Sequence, residues 1–324
     1  MKALVTGATG FIGSHLVEAL LQKNYRVSCL VLPGDEARWI NPLSVEKLDG
    51  DVLDKESLRK AVAGVDYVFH LAAAVGSDDL RTYYKVNVDG TKNLIDVCSE
   101  NPDLKRFVFV SSIAAMGPSG PRRVLDEHSV CLPVSDYGKS KWQAERIFHG
   151  NGKRLAYTIV RLPLVYGPRS MGGFLTVFKL VKKGFLFMFG QGRNTVAYVD
   201  DIADGLIRAA ESDRAANRTY ILGEKRIYSW HEIKAAVERS LSKKAITIGL
   251  PPEMLYVLAP FAELYGLARN KVPLLRIRNI GYVKHSFWQA DPARAVEDFN
   301  FQVRHPLLLG IERTARWYRE NGHL

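Results

Sequence analysis

The segment TGATGFIG, residues 6–13, sits between a short apolar run, residues 2–6, and an amphipathic stretch, residues 11–22. A strand that turns through glycines into a helix leaves unpaired N–H groups and the positive end of the helix dipole at the turn, and Gly7, Gly10 and Gly13 let a ligand come close to the backbone. Such a turn suits a pyrophosphate. The spacing is GxxGxxG rather than GxGxxG, so it is the strand–turn–helix context that points to a dinucleotide.

The same alternation continues. Apolar runs at 27–32, 65–71, 107–111 and 158–162 are separated by helix-like stretches that include 88–100 and 135–148. Strands that alternate with amphipathic helices form βαβ units, and a parallel sheet needs both faces covered. The expected fold is therefore α/β, a doubly wound parallel sheet with a smaller C-terminal substrate domain. Residues 1–167 would form the dinucleotide-binding domain, completed by about 194–223, and 168–324 would be mainly substrate-binding. In that second part the alternation weakens, with a glycine-rich stretch at 184–193, a helix-like run at 202–211 and a proline-interrupted apolar region at 250–275.

With 47% of 324 residues hydrophobic, the chain can bury a sizeable core. Cys29, Cys98 and Cys131 are too dispersed for a metal cluster or a disulfide framework, which suits a reducing compartment; with no secretory signal pattern at the start, the expected location is the cytoplasm. A net charge of +11 favours anionic ligands or surfaces. The charge is spread through both halves without a reading motif, so nucleic acid is not an expected partner. Residues 264–290 carry Arg269, Lys271, Arg276, Arg278 and Lys284 and no acidic residue. Together with the apolar stretch before them, 250–290 read either as a basic amphipathic surface for peripheral contact with anionic lipid or as a packed helix followed by a solvated loop.

Two further positions bear on chemistry. Where the second strand ends, an acidic residue would select a free ribose hydroxyl and an arginine a phosphate. Leu32 stands there with Arg38 shortly after, which favours NADP over NAD. Tyr137 and Lys141 fall one turn apart on a predicted helix. A phenol is a poor base at its ordinary pKa of about 10. A nearby ammonium and an oxidised nicotinamide both favour the phenolate, so the pair can exchange protons with an alcohol or carbonyl. Ser112, at a predicted strand end, supplies a neutral donor.

These motifs, in this order, resemble the extended short-chain dehydrogenase/reductase family (NAD-dependent epimerase/dehydratase) along nearly the whole chain. The resemblance implies that Gly7, Thr9, Gly10, Phe11, Ile12 and Gly13 form the cofactor turn. It implies further that Asp51 and Val52 meet the adenine, that Leu71, Ala72 and Ala73 form a strand end against the cofactor, and that Pro163 lies in a downstream signature, 161–168. Ser112, Tyr137 and Lys141 would be the catalytic triad, Lys141 also holding the nicotinamide ribose, and Asn87 would be largely structural. A dimer is also implied.

Departures from the family's subgroups narrow the expectation. Nucleotide-sugar epimerases usually have asparagine where Leu164 stands and tyrosine where Met116 stands. Sugar dehydratases have an acidic pair where Ile113 and Ala114 stand. The remainder is most similar to the dihydroflavonol-reductase and 3β-hydroxysteroid-dehydrogenase branch, with Met116, Leu164, Met171 and Phe174 lining an apolar substrate site and Phe187 and Phe189 either joining them or filling the small domain's core. The leading expectation is an NAD(P)-dependent oxidoreductase acting on a steroid-, isoprenoid- or flavonoid-like substrate. The alternatives are a nucleotide-sugar epimerase with tightly bound NAD and a non-catalytic dinucleotide-binding regulator.

Overall fold

A computed structural model of the chain describes residues 1–77, 79–150, 155–268 and 285–324. Seven parallel strands form the main sheet: β1 (Lys2–Thr6), β2 (Arg26–Val31), β3 (Glu46–Asp49), β4 (Tyr67–His70), β5 (Arg106–Ser112), β6 (Tyr157–Leu162) and a later one, β11 (Arg218–Ile221). Their order across the sheet is β3-β2-β1-β4-β5-β6-β11. The order reverses direction at β1, and the crevice at such a switch point, outside the carboxyl ends of the strands, is where open α/β sheets bind ligands. β5 and β6 are buried almost end to end, as expected for strands covered on both faces. β3, EKLD, is an edge strand with mostly exposed side chains; without an apolar run it gave no sequence signal.

Helices α1 (Phe11–Gln22), α2 (Lys55–Val62), α3 (Leu80–Tyr84), α4 (Thr91–Cys98) and α5 (Asp136–Gly150) alternate with the strands, and a π-helical turn, Lys85–Gly90, leads into α4. One face of the sheet packs Val5, Leu16, Val31 and Leu206 into a single cluster. The other packs Leu4, Leu94, Phe107 and Phe148. β11 pairs in parallel with β6, so the chain leaves the sheet after β6 and later returns to its edge.

That excursion holds β7 (Leu164–Tyr166), α6 (Gly173–Lys183), β8 (Phe185–Phe189), β9 (Arg193–Asn194), β10 (Val196–Tyr198) and α7 (Val199–Glu211). After β11 follow β12 (Tyr228–Ser229), α8 (Trp230–Leu241), β13 (Ile246–Leu250), α9 (Met254–Ala268), β14 (Phe287–Trp288) and the C-terminal helices Ala293–Phe299 and Leu307–Glu320. A third apolar cluster, with Tyr166, Phe178, Ile233 and Tyr318, ties α6, α8 and Leu307–Glu320 together. The glycine-rich stretch 184–193 contains β8, which pairs in parallel with β13. Arg269, Lys271, Arg276, Arg278 and Lys284 lie outside the described residues.

Candidate active site

The glycine turn is closed by backbone proximity. Gly7 has φ +71°, and a Cβ there would sit 2.6 Å from the Ala72 nitrogen; a Cβ on Gly13 would sit 2.0 Å from the Gly7 carbonyl oxygen. Neither position admits a side chain without backbone movement. Gly10 caps α1 with no side-chain hydrogen bond, so the first N–H groups of the helix are not consumed by a cap. Around the turn the strand ends are fastened together. His70 joins Thr6 Oγ1 (2.7 Å) and Thr91 Oγ1 (2.9 Å), and burial holds its imidazole far below the usual range, at about 3, so it serves as a neutral link. Asn87 accepts from Ala74 N–H (2.7 Å) and donates to Ser140 Oγ (2.9 Å), fixing the residues after β4 to α5.

A crevice of about 650 Å³ opens at this turn. Gly7, residues 9–13, Leu32, Asp51, Val52, residues 71–73, Ser112, Tyr137, Lys141 and Pro163 all face it. Arg38 does not. Its guanidinium stacks 4.2 Å from the centroid of the Trp39 ring, which satisfies the cation on the surface. In its place is Asp35, which sequence reasoning missed. The Pro33-Gly34 turn folds back, with Asp35 N–H on the Leu32 carbonyl (3.0 Å) and Thr9 Oγ1 donating to Asp35 Oδ2 (2.8 Å). The signal was a carboxylate just past a proline–glycine turn; a linear reading looks for it at the strand end itself.

Tyr137 opens α5 and Lys141 follows one turn later. The helix can approach β5 because residue 138 is glycine: a Cβ there would lie 2.2 Å from the Ala114 carbonyl oxygen. Ser112 is thereby brought near enough to Tyr137 to act on its phenol, while Ser112 Oγ accepts from Ala114 N–H at 3.1 Å. Lys141 is only 2% exposed, with Nζ 4.1 Å from the centroid of the Phe109 ring. Below it Glu145 holds a buried bidentate ion pair with Arg161 (Nη2 to Oε2 2.7 Å) and accepts from Ser111 Oγ (2.5 Å), locking α5 against β5 and β6.

The electrostatics differ from the simple picture of an ammonium that lowers a phenol. Burial pushes Tyr137 up to about 12, partly offset by the nearby Ser112 hydroxyl. Burial also pulls Lys141 down to about 7, partly opposed by Glu145. Lys141 is thus poised near neutrality, and Tyr137 is a firmly protonated donor. A positive charge bound in the crevice would shift both groups downward.

A second, largely apolar chamber of about 630 Å³ adjoins the crevice at β7: Pro163 and Val165 face the crevice, and Leu164 between them faces the chamber. Phe187, Met188, Phe189, Trp230 and Trp288 also line it. Its buried amide is Asn194, 4% exposed, whose Nδ2 has no hydrogen-bond partner. Three residues expected here are elsewhere. Met116 is 1% exposed in a small cluster with Ile113, Leu125 and Trp288. Phe174 is buried against the Tyr166 ring, centroids 4.9 Å apart. Met171 is 44% exposed and lines neither cavity. Met116 and Phe174, the latter from the first turn of α6, fill adjacent cores, an outcome that hydrophobicity alone does not distinguish from a pocket wall.

Residues 3–223 match the family model described as the NAD dependent epimerase/dehydratase family. The chain is 31% identical over 258 residues, 77% of this chain and 75% of the relative, to N-acetyl-alpha-D-glucosaminyl-diphospho-ditrans,octacis-undecaprenol 4-epimerase of Escherichia coli O157:H7. It is 26% identical over 329 residues, 99% of this chain and 95% of the relative, to ceramide reductase of Caulobacter vibrioides (strain NA1000 / CB15N). Among solved structures, UDP-glucuronic acid 4-epimerase from Bacillus cereus in complex with UDP-glucuronic acid and NAD superposes with a TM-score of 0.79 at 24% identity, covering 99% of this chain and 100% of that one.

Proposed function

The chain belongs to the NAD-dependent epimerase/dehydratase family, and from that premise we propose that it oxidises or reduces a hydroxyl- or carbonyl-bearing carbon in the polar head of a lipid-like substrate. The observation that carries this reading is the apolar chamber beside the crevice, with Leu164 at its wall. Pockets of this size and composition suit an aliphatic or fused-ring tail, and a few polar groups then fix its orientation. Asn194 can provide such a contact, because an unpaired buried amide costs about 1–3 kcal/mol, recovered when a ligand oxygen accepts from it.

NAD fits the crevice through the glycine turn, the free N-terminus of α1, and Asp35, whose carboxylate beside Leu32 suits a ribose hydroxyl and disfavours a phosphate. This turns the preference from NADP, expected from Arg38, to NAD. When bound, the nicotinamide supplies a hydride acceptor or donor. The chain's own residues supply the rest. Tyr137 Oη exchanges a proton with the substrate oxygen, Ser112 orients that oxygen, and Lys141 tunes Tyr137 and holds ribose hydroxyls.

A second reading, 4-epimerisation of a sugar carried on a lipid, is favoured by the relationship to the undecaprenol-linked epimerase. One assay separates the two. Purified chain incubated with NAD and lipid alcohols, with NADH and lipid ketones, and with NAD and polyprenyl-diphosphate sugars is followed both for reduced nicotinamide and for isomerised product. Net NADH formation or consumption supports the first reading, and isomer without net redox change supports the second. Turnover of soluble UDP-hexoses alone contradicts both.

The cofactor assignment has its own test. NAD should bind at least about tenfold more tightly than NADP, because a like charge placed against Asp35 costs that much or more. Asp35→Asn should narrow the gap. Isothermal titration with both cofactors checks it; a wild-type preference for NADP contradicts the role of Asp35.

A further inference from the structure

The chamber has an unusual rim. β8 and β13 pair in parallel, with Phe185 opposite Ile246 and Phe187 opposite Ile248. Leu186 and Met188 point inward, but Phe187, Ile246 and Ile248 are 43%, 72% and 38% exposed. Phe185 packs edge-on against Phe187, ring centroids 5.4 Å apart. α9 continues this surface. Leu255 and Ala259 are buried, Leu258 lines the chamber, and Met254, Val257 and Phe261 are exposed. Phe187 and Met254 belong to both the chamber wall and the exposed face, so the chamber opens within an apolar patch. At one end of the ribbon, two and three residues before the first paired strand positions, stand exposed Lys182, Lys183, Lys243 and Lys244. Lys244 also feels Glu238, and Glu253, just before α9, is exposed as well.

We propose that this face, the β8–β13 ribbon and the exposed side of α9 beyond it, docks on an anionic lipid bilayer and gives the chamber direct access to its substrate there. Apolar side chains rimmed by lysines match a membrane surface, where the former enter the headgroup–acyl boundary and the latter meet negative headgroups. No helix among the described residues is long and apolar enough to cross a membrane, so the attachment is peripheral. The purpose of the docking rests on the lipid-substrate reading above; the docking itself is measured without turnover.

The experiment floats the full chain, with NAD present, on vesicles of phosphatidylcholine alone or with phosphatidylglycerol. Binding to the anionic vesicles should be at least about tenfold stronger than to neutral ones and should weaken as salt rises. The double variant Val257→Asp and Phe261→Asp should lose about tenfold or more of that binding while keeping its circular dichroism and its affinity for NAD. Lys182→Glu with Lys243→Glu should remove the preference for anionic vesicles. Failure of wild-type protein to float, or double variants that float like wild type, overturns the proposal. So does light scattering that shows a dimer in wild type and a monomer in the apolar double variant, which would assign the face to a second copy. Because flotation needs no substrate, protein that floats but turns over no lipid separates this inference from the functional one.

Discussion

Tyr137→Phe is expected to lower turnover by about 10²–10⁴-fold while leaving the affinity for NAD within about threefold and the melting temperature nearly unchanged. The substitution removes a single oxygen. Tyr137 makes its ring contact edge-on with Tyr83, centroids 6.3 Å apart, and phenylalanine preserves that packing. What disappears is the hydroxyl beside Ser112 and the proton that Oη exchanges with the substrate. Ser112→Ala should cost less, since Ser112 orients the oxygen without carrying the proton. Steady-state rates together with cofactor titration check both variants. A phenylalanine variant that turns over normally removes Tyr137 from the mechanism.

Lys141→Met is expected to be at least as inactive and yet more stable without cofactor. A buried ammonium is costly unless paired, and burial has pulled Lys141 down to about 7. A lysine whose folded pKa lies below its unfolded value penalises the fold most at pH values below the folded pKa. The penalty is relieved as pH rises from about 7 toward the ordinary lysine range. The gain from methionine should therefore be largest near pH 6, on the order of 2 kcal/mol, and should fade in alkaline buffer. At about 2 °C per kcal/mol for a chain of this size, this is a rise of several degrees. Thermal melts of both proteins across pH check it; a variant less stable than wild type at pH 6 contradicts the view that burial, rather than pairing, sets the state of Lys141.

What could be read from the sequence was what local chemistry dictates. The glycine turn, the buried strands β1, β2, β4, β5 and β6, and the spacing of Tyr137 and Lys141 all follow from periodicity and from residues with few conformational alternatives. β3 escaped because an edge strand buries little and needs no apolar run. Asp35 escaped because its approach to Thr9 depends on a turn geometry that reverses the chain after β2. Hydrophobicity at Met116 and Phe174 suits a substrate wall equally well, but the structure gives them cores of their own. Leu164 lines the chamber because β7 alternates, sending one residue to each cavity. The sense of the Tyr137 shift was hidden for a similar reason. Sequence spacing reveals a nearby ammonium, but only the packed fold reveals that both groups are desolvated.

In the proposed mechanism Tyr137 is a protonated donor in the free chain and becomes a usable base only with positive charge bound beside it. Difference absorbance in the near ultraviolet, wild type minus Tyr137→Phe, titrated with and without NAD, isolates this one phenol. In the free chain its phenolate signal should emerge only at strongly alkaline pH, near 12. With oxidised NAD present the midpoint should fall by at least about one unit, which corresponds to about 1.4 kcal/mol. A midpoint near the ordinary value of about 10 that does not move when NAD is added would contradict it.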